Sequence, residues 1–270
     1  MLLTPNQIEL FRKAIKEGLI KVLIFDLETS PSQFWGWGTG EQYVAYSQLV
    51  KGTETKIITA QYKYALVDKK SKYLVWDKTS KGHDDSVMVE EITKLINTAD
   101  IVIGQNSKQF DIKVLQERAK ILRLPPVSVD FMIDTLTSSR SSFRALSHKL
   151  DYRSKQFGLG GKNKMEMADW IDILEGRVSP EKKMIPYGLK DTDDTEMLFW
   201  KELPYYNLPK STINKILKLI IKPEQSIVKK SGLFCKDCAK RRQRRFDIGT
   251  VPGINEAICN NCKGFNIGEL

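Results

Sequence analysis

The run Val22-Leu23-Ile24-Phe25, followed at once by Asp26-Leu27-Glu28, constrains this chain more than any other stretch. Four consecutive apolar residues of β-favouring type predict a short strand buried on both faces. Residues i and i+2 of a strand share a face, so Asp26 and Glu28 project side by side at its end. Two carboxylates held that close repel unless something positive lies between them. A hard divalent cation such as Mg²⁺ or Mn²⁺ takes oxygen ligands of this kind. The alternative is an acidic strand end that merely opens onto a loop.

Around this strand the punctuation is regular. Residues 4–18 predict a helix packed on the core, with Thr4 as N-cap, Pro5 in the first turn, Gln7 closing a capping box and Gly18 as the stop. Its apolar face is Ile8, Leu10, Phe11, Ile15 and Leu19. After Pro31 comes Phe34-Trp35-Gly36-Trp37-Gly38, a loop whose aromatics either pack on the sheet or stack on nucleic-acid bases. Strands are predicted at 56–66, 72–77, 101–104 and 127–135, and helices at 90–98, 112–122, 142–157, 165–174 and 180–203, with Pro186 kinking or dividing the last. Strands first and helices alternating later describe a mixed α/β layer domain.

Four acidic positions stand out on these elements: Asp26 and Glu28 at a strand end, Asp111 in a first helical turn, and Asp191 in the final helix. Tyr187 lies four residues before Asp191, one turn away on the same helical face. With Phe25-Asp26-Leu27-Glu28-Thr29, then Asn106 with Phe110-Asp111, then Tyr187 with Asp191, residues 20–203 resemble the DnaQ-like (DEDD) 3′–5′ exonucleases of the ribonuclease H-like fold. One branch of that family has a histidine five residues before the last aspartate. Here that position is Pro186, so the chain resembles the tyrosine branch.

The resemblance implies a ribonuclease H-like mixed sheet flanked by helices and an active site with two Mg²⁺ or Mn²⁺ ions. Asp26 would bridge them, Glu28 and Asp191 would hold the nucleophile's metal, and Asp111 the second. Tyr187 would orient the attacking water; a phenol, whose unperturbed pKa is near 10, suits positioning rather than base work. Asn106 contacts substrate or supports the second motif, or else is a turn residue. Asp193 and Asp194 compete with Asp191 for the last ligand position. Asp134 reads as a helix cap, and His83 and His148, the latter in a predicted helix, as surface or packing residues.

All four cysteines lie beyond residue 234, as Cys235-x2-Cys238 and Cys259-x2-Cys262. Paired knuckles of this kind predict a small zinc ribbon in which the four thiolates hold one structural Zn²⁺, the other option being two disulfides. Between them Lys240, Arg241, Arg242, Arg244 and Arg245 form either a phosphate-binding strip or a solvated basic loop. Residues 222–270 hold ten Lys/Arg against five Asp/Glu, half of the chain's net +10.

That charge predicts a polyanionic partner, nucleic acid before a membrane surface. Between the nucleic acids, DNA is expected over RNA. A replication or repair protein is a further expected partner. No run of about 18 apolar residues and no signal-peptide core occur, which predicts an intracellular protein. A stand-alone exonuclease with its own ribbon would suit a compact genome, that of a bacterium or a phage. The expected organisation is 1–20 as the N-terminal helix, 21–207 as the exonuclease domain, 208–231 as a helical connector and 232–270 as the ribbon. The expected activity is metal-dependent 3′–5′ hydrolysis of phosphodiesters. Its rivals are a structure-specific endonuclease of the same fold group and a dormant nucleic-acid-binding protein.

Overall fold

The structure is a computed structural model and describes residues 2–38, 40–77, 83–159 and 164–221, with four short strands further on. Thr4 opens α1 (Pro5–Lys16): its Oγ1 accepts from the Gln7 N–H at 3.3 Å, and its own N–H donates to Gln7 Oε1 at 2.9 Å. Gly18, at φ +73°, supplies the left-handed residue that stops the helix. Ile8, Phe11, Ala14 and Ile15 are buried, whereas Leu10 of the expected apolar face is exposed. The chain divides into two compact units, Val22–Tyr205 and Met1–Lys21 with Tyr206–Leu270.

The larger unit is built on a five-stranded mixed sheet. Its strands are β1 (Val22–Thr29), β2 (Ile57–Tyr64), β3 (Lys72–Val75), β4 (Ile101–Gly104) and β5 (Met132–Asp134), in the order β3-β2-β1-β4-β5. β2 runs antiparallel to both β1 and β3, while β1, β4 and β5 are parallel. Helices α2 (Ser86–Thr98), α3 (Asp111–Ile121), α4 (Thr135–Ser142), α5 (Leu150–Gln156), α6 (Met167–Leu174) and α7 (Met184–Glu202) accompany it. A mixed sheet in this order, flanked by helices, is compatible with a ribonuclease H-like fold.

β1 is buried on both faces, as its unbroken apolar run requires. Leu23, Phe25 and Leu27 join Ile58 and Ala60 of β2 in one core with Val89, Ile92 and Ile96 of α2 and Leu115 and Ala119 of α3. Each such side chain contributes about 1.5–3 kcal/mol by burial. A one-residue slip would exchange this set for Asp26 and Glu28, so the register is strongly fixed.

A buried charge pair ties the same face together. Asp85 Oδ2 accepts from the Ile57 N–H at 3.0 Å and from Arg118 Nε at 2.8 Å, and its Oδ1 accepts from Arg118 Nη2 at 2.6 Å. One carboxylate therefore links the entry of β2 to α3 just ahead of α2.

Several boundaries differ from the sequence reading. The helix expected over 90–98 begins at Ser86, just after Asp85. The helix expected over 142–157 starts only at Leu150, and a separate helix, α4, occupies Thr135–Ser142. Asp134 caps α4, and Ser141 and Ser142 both turn their hydroxyls back onto the Ser138 carbonyl, which favours an end there. His148 thus sits between helices, its Nδ1 2.8 Å from Ser139 Oγ. Pro186 neither kinks nor divides the final segment. It lies in the first turn of α7, where an N–H has no helical partner to lose, and the break falls at Lys183 after a 3₁₀ turn at Pro180–Lys182. The strand expected over 127–135 is confined to β5.

In the other unit, α8 (Lys210–Ile221) meets α1. Beyond it, β6 (Leu233–Cys235) pairs antiparallel with β9 (Ile267–Glu269), and β7 (Ile248–Thr250) with β8 (Ala257–Cys259). Cys235 and Cys259 close β6 and β8. The expected ligands Cys238 and Cys262 and the basic residues Lys240, Arg241, Arg242, Arg244 and Arg245 lie outside the described residues. Among the described residues no helix is long and apolar enough to cross a membrane.

Candidate active site

Where β1 outruns β4, its neighbour in the sheet is no longer a strand. The ladder between them stops at Ile24–Ile103, and beyond it the Leu27 N–H donates to Asp111 Oδ1 at 3.1 Å. Asp111 is the first residue of α3, so this bond draws the second acidic motif onto the first.

The approach depends on Gly104, the last residue of β4. A Cβ there would stand 2.7 Å from the Ser107 Cβ and 3.2 Å from the Phe25 carbonyl oxygen. Asn106 sits in the turn at φ +64°, a left-handed conformation that asparagine tolerates better than most residues.

Asp134 fixes this turn from below. Its carboxylate accepts from the Leu136 and Thr137 N–H groups at 2.9 and 3.2 Å, capping α4. It also accepts from the Asn106 and Lys108 N–H groups at 3.2 and 3.0 Å. The helix-cap reading of this residue is correct, and the side chain does a second job in holding the Asn106–Lys108 turn.

The third motif arrives on α7, which packs across β1 and β2. Asp26 lies opposite Gln61 and Glu28 opposite Thr59, so Thr59, Gln61 and the next same-face residue, Lys63, form a polar stripe beside the two carboxylates. The stripe is buried under α7. Lys63 Nζ meets Asp193 at 2.8 Å and Glu196 at 2.7 Å, and Gln61 Nε2 donates to Thr59 Oγ1 at 2.8 Å.

Gly188 is the point of closest approach: a Cβ on it would come within 2.4–2.6 Å of the Gln61 amide group. Gly188→Ala is therefore expected to force α7 and Gln61 apart. Overpacking costs about 1–3 kcal/mol, partly offset by about 1 kcal/mol of better helix propensity. Urea unfolding should show a modest loss of stability, and activity should fall further than stability, because Tyr187 and Asp191 ride on the displaced helix.

These elements enclose a cavity of about 230 Å³. Asp26, Leu27 and Glu28 line it from β1, Gln105, Asn106, Phe110 and Asp111 from the turn and start of α3, Leu150 from α5, and Tyr187 and Asp191 from α7. All five residues expected to carry chemistry, and Asn106, border this one space. Asp193 and Asp194 do not: the first accepts from Lys63 and from Ser71 Oγ, and the second from Lys190 at 2.9 Å. Gln105 and Leu150 join the site without any motif to mark them, while Leu27 and Phe110 are motif residues with no role expected from sequence. Gln105 is held from behind, its Nε2 donating to the His148 carbonyl at 3.1 Å.

The electrostatics are one-sided. Four carboxylates and no lysine, arginine or histidine are among the ten residues lining the cavity. Burial holds the Asp111 carboxyl at about 6, above its usual 3.8, against the opposing pull of the Leu27 N–H bond, and the nearby Asp134 charge adds to the rise. The folded chain thus binds this proton more tightly than the unfolded one, and stability drawn from it is lost as pH rises through about 6.

An oxygen-only donor set fits Mg²⁺ or Mn²⁺ in kind. Among the described residues, however, no three of His, Cys, Asp or Glu are gathered closely enough to hold a metal ion as they stand. Mutual repulsion of like charges favours such an open arrangement.

No family model matches the chain, and no curated protein matches it. Among solved structures, the family B DNA polymerase from the hyperthermophilic archaeon Pyrobaculum calidifontis is similar with 13% sequence identity and a TM-score of 0.49. The match covers 86% of this chain and 31% of that one, so the chain spans about a third of the polymerase's length.

Proposed function

We propose that the chain is a metal-dependent 3′–5′ exonuclease acting on nucleic acid. The observation that carries this reading is the single acidic cavity, bordered by carboxylates from β1, α3 and α7 together with Tyr187. Asp26, Glu28, Asp111 and Asp191 would hold two Mg²⁺ or Mn²⁺ ions. Such ions, when bound, stabilise charge on the attacking and leaving oxygens of a phosphodiester and lower the pKa of the attacking water.

The chain's own residues do the rest. Tyr187, half-buried at the rim, orients a water toward the phosphorus through its hydroxyl. Asn106, exposed at the mouth, offers its amide to the substrate backbone. Leu27, Phe110 and Leu150 keep bulk water from the reacting group.

The test is a panel of DNA and RNA oligonucleotides with single- and double-stranded 3′ ends, labelled at the 5′ end and assayed with Mg²⁺ or Mn²⁺. The expected result is stepwise loss of mononucleotides from the 3′ end that stops without divalent metal. Cleavage of circular or 3′-blocked substrate would replace the exonuclease reading with an endonuclease one. No metal-dependent turnover on any substrate would leave a binding protein.

We propose further that Cys235, Cys238, Cys259 and Cys262 hold one structural zinc and that the basic run between them assists nucleic-acid binding. The spacing and the thiol-only donor set support this. Purified protein is expected to carry one equivalent of zinc per chain by atomic emission, and Cys262→Ser to lose most of it while the Mg²⁺-dependent site is retained. Zinc-free native protein would remove the ribbon from the account.

A further inference from the structure

The loop after β1 does not pack its aromatics on the sheet. Trp35 is 73% exposed, Trp37 92%, Tyr43 93% and Tyr46 85%. Exposed apolar surface of that kind costs solvation and marks a binding face. The loop is nonetheless held in shape. The Trp35 N–H donates to the Gln48 carbonyl and Gln48 Nε2 to the Trp35 carbonyl, both at 2.8 Å; Gln42 Nε2 donates to the Trp37 carbonyl, also at 2.8 Å. Phe34 bridges to Leu49, so the β1–β2 hairpin continues past Glu28 as a braced arm.

A largely apolar groove joins the start of this arm to the acidic cavity. A second cavity of about 420 Å³ shares Leu27, Glu28 and Phe110 with the first and continues through Pro31 and Trp170. Trp170 Nε1 donates to the Thr29 carbonyl at 3.2 Å, which fixes the indole beside the strand end. Pro31 is where the loop begins. Trp35 follows Glu28 by seven residues, a reach of no more than about 25 Å. Among residues 31–50 only Glu41 is charged, so this surface carries no cation for phosphate, and its flat ring faces are its main feature.

We infer that the arm carrying Trp35, Trp37, Tyr43 and Tyr46 is a stacking platform for single-stranded nucleic acid, feeding its end along the second cavity toward Glu28. Base stacking is indifferent to sequence, because every base has a π face. The inference rests on the exonuclease reading for what lies at the end of the path, and continuity with the acidic cavity favours a nucleic acid over a protein as occupant.

The test compares Asp26→Ala with the triple variant Asp26→Ala, Trp35→Ala, Trp37→Ala for binding a fluorescein-labelled oligothymidylate of about 12 nucleotides. The triple variant is expected to bind at least about tenfold more weakly, from about one to three kcal/mol per stacked base. Its salt slope should be unchanged, because no phosphate-binding cation was removed. Hydrolysis of the small ester p-nitrophenyl thymidine 5′-phosphate should be equal in wild type and in Trp35→Ala, Trp37→Ala. Equal oligonucleotide affinities, or no oligonucleotide binding without the tryptophan substitutions, would overturn the platform and assign the loop to a protein partner. Loss of tight binding with no hydrolysis of the small ester by wild type would keep the platform and overturn the exonuclease instead.

Discussion

Asp26→Ala is expected to lower kcat/KM for metal-dependent mononucleotide release on the order of a thousandfold or more. Loss of a group that only orients a metal ligand typically costs about 10–100-fold. Asp26 is placed to do more, since it lies between the Leu27 that binds Asp111 and the Gln61 that packs under α7, and it faces the cavity shared by all three acidic motifs. The fold should survive, because removing one of four mutually repelling carboxylates relieves strain. Two thermal melts make the distinction. Mg²⁺ is expected to raise the wild-type midpoint by mass action and to leave that of Asp26→Ala nearly unmoved. Asp191→Asn should behave the same way. Full activity in both variants would sink the site, whatever the melts show.

Much of this site is legible in sequence because its parts obey local periodicities. Asp26 and Glu28 share a face through the strand repeat of two, and Tyr187 and Asp191 through the helical repeat. Asp111 is readable because a polar turn precedes an amphipathic run. What could not be read depends on contacts between distant segments. Thr59, Gln61 and Lys63 recur at every second residue of β2, a pattern that ordinarily marks a solvent-facing edge; here α7 covers it, and Lys63 finds Asp193 and Glu196 far along the chain. The Asp85–Arg118 pair is invisible for the same reason. Asp134 reads as a helix cap, but the extent of the helix it opens is not legible, because its end at Ser142 depends on Ser141 and Ser142 turning their hydroxyls back onto the Ser138 carbonyl. The tryptophan loop was open to two readings, because an aromatic run says nothing about which side of it is wet.

Asp134→Ala should be the most destabilising single change near the site although the residue lines neither cavity. One buried carboxylate there accepts four backbone N–H groups: two at the α4 N-terminus and two from the Asn106–Lys108 turn. The cap alone is worth about 1 kcal/mol. The turn bonds are charge-assisted, which makes them roughly twice as strong as neutral ones. Taken together, a loss of about 3–4 kcal/mol is expected, read as a lower urea midpoint with the slope unchanged. Asp134→Asn keeps an acceptor oxygen but no charge and should fall between the two. The same change reaches the chemistry. With the turn loosened, Asn106 leaves the cavity mouth and Asp111 loses the anchoring that sets it on Leu27, so activity should drop even where the protein is still mostly folded. A variant that loses stability yet keeps wild-type kcat/KM when folded would show that the turn needs only α3, and not Asp134, to deliver Asp111.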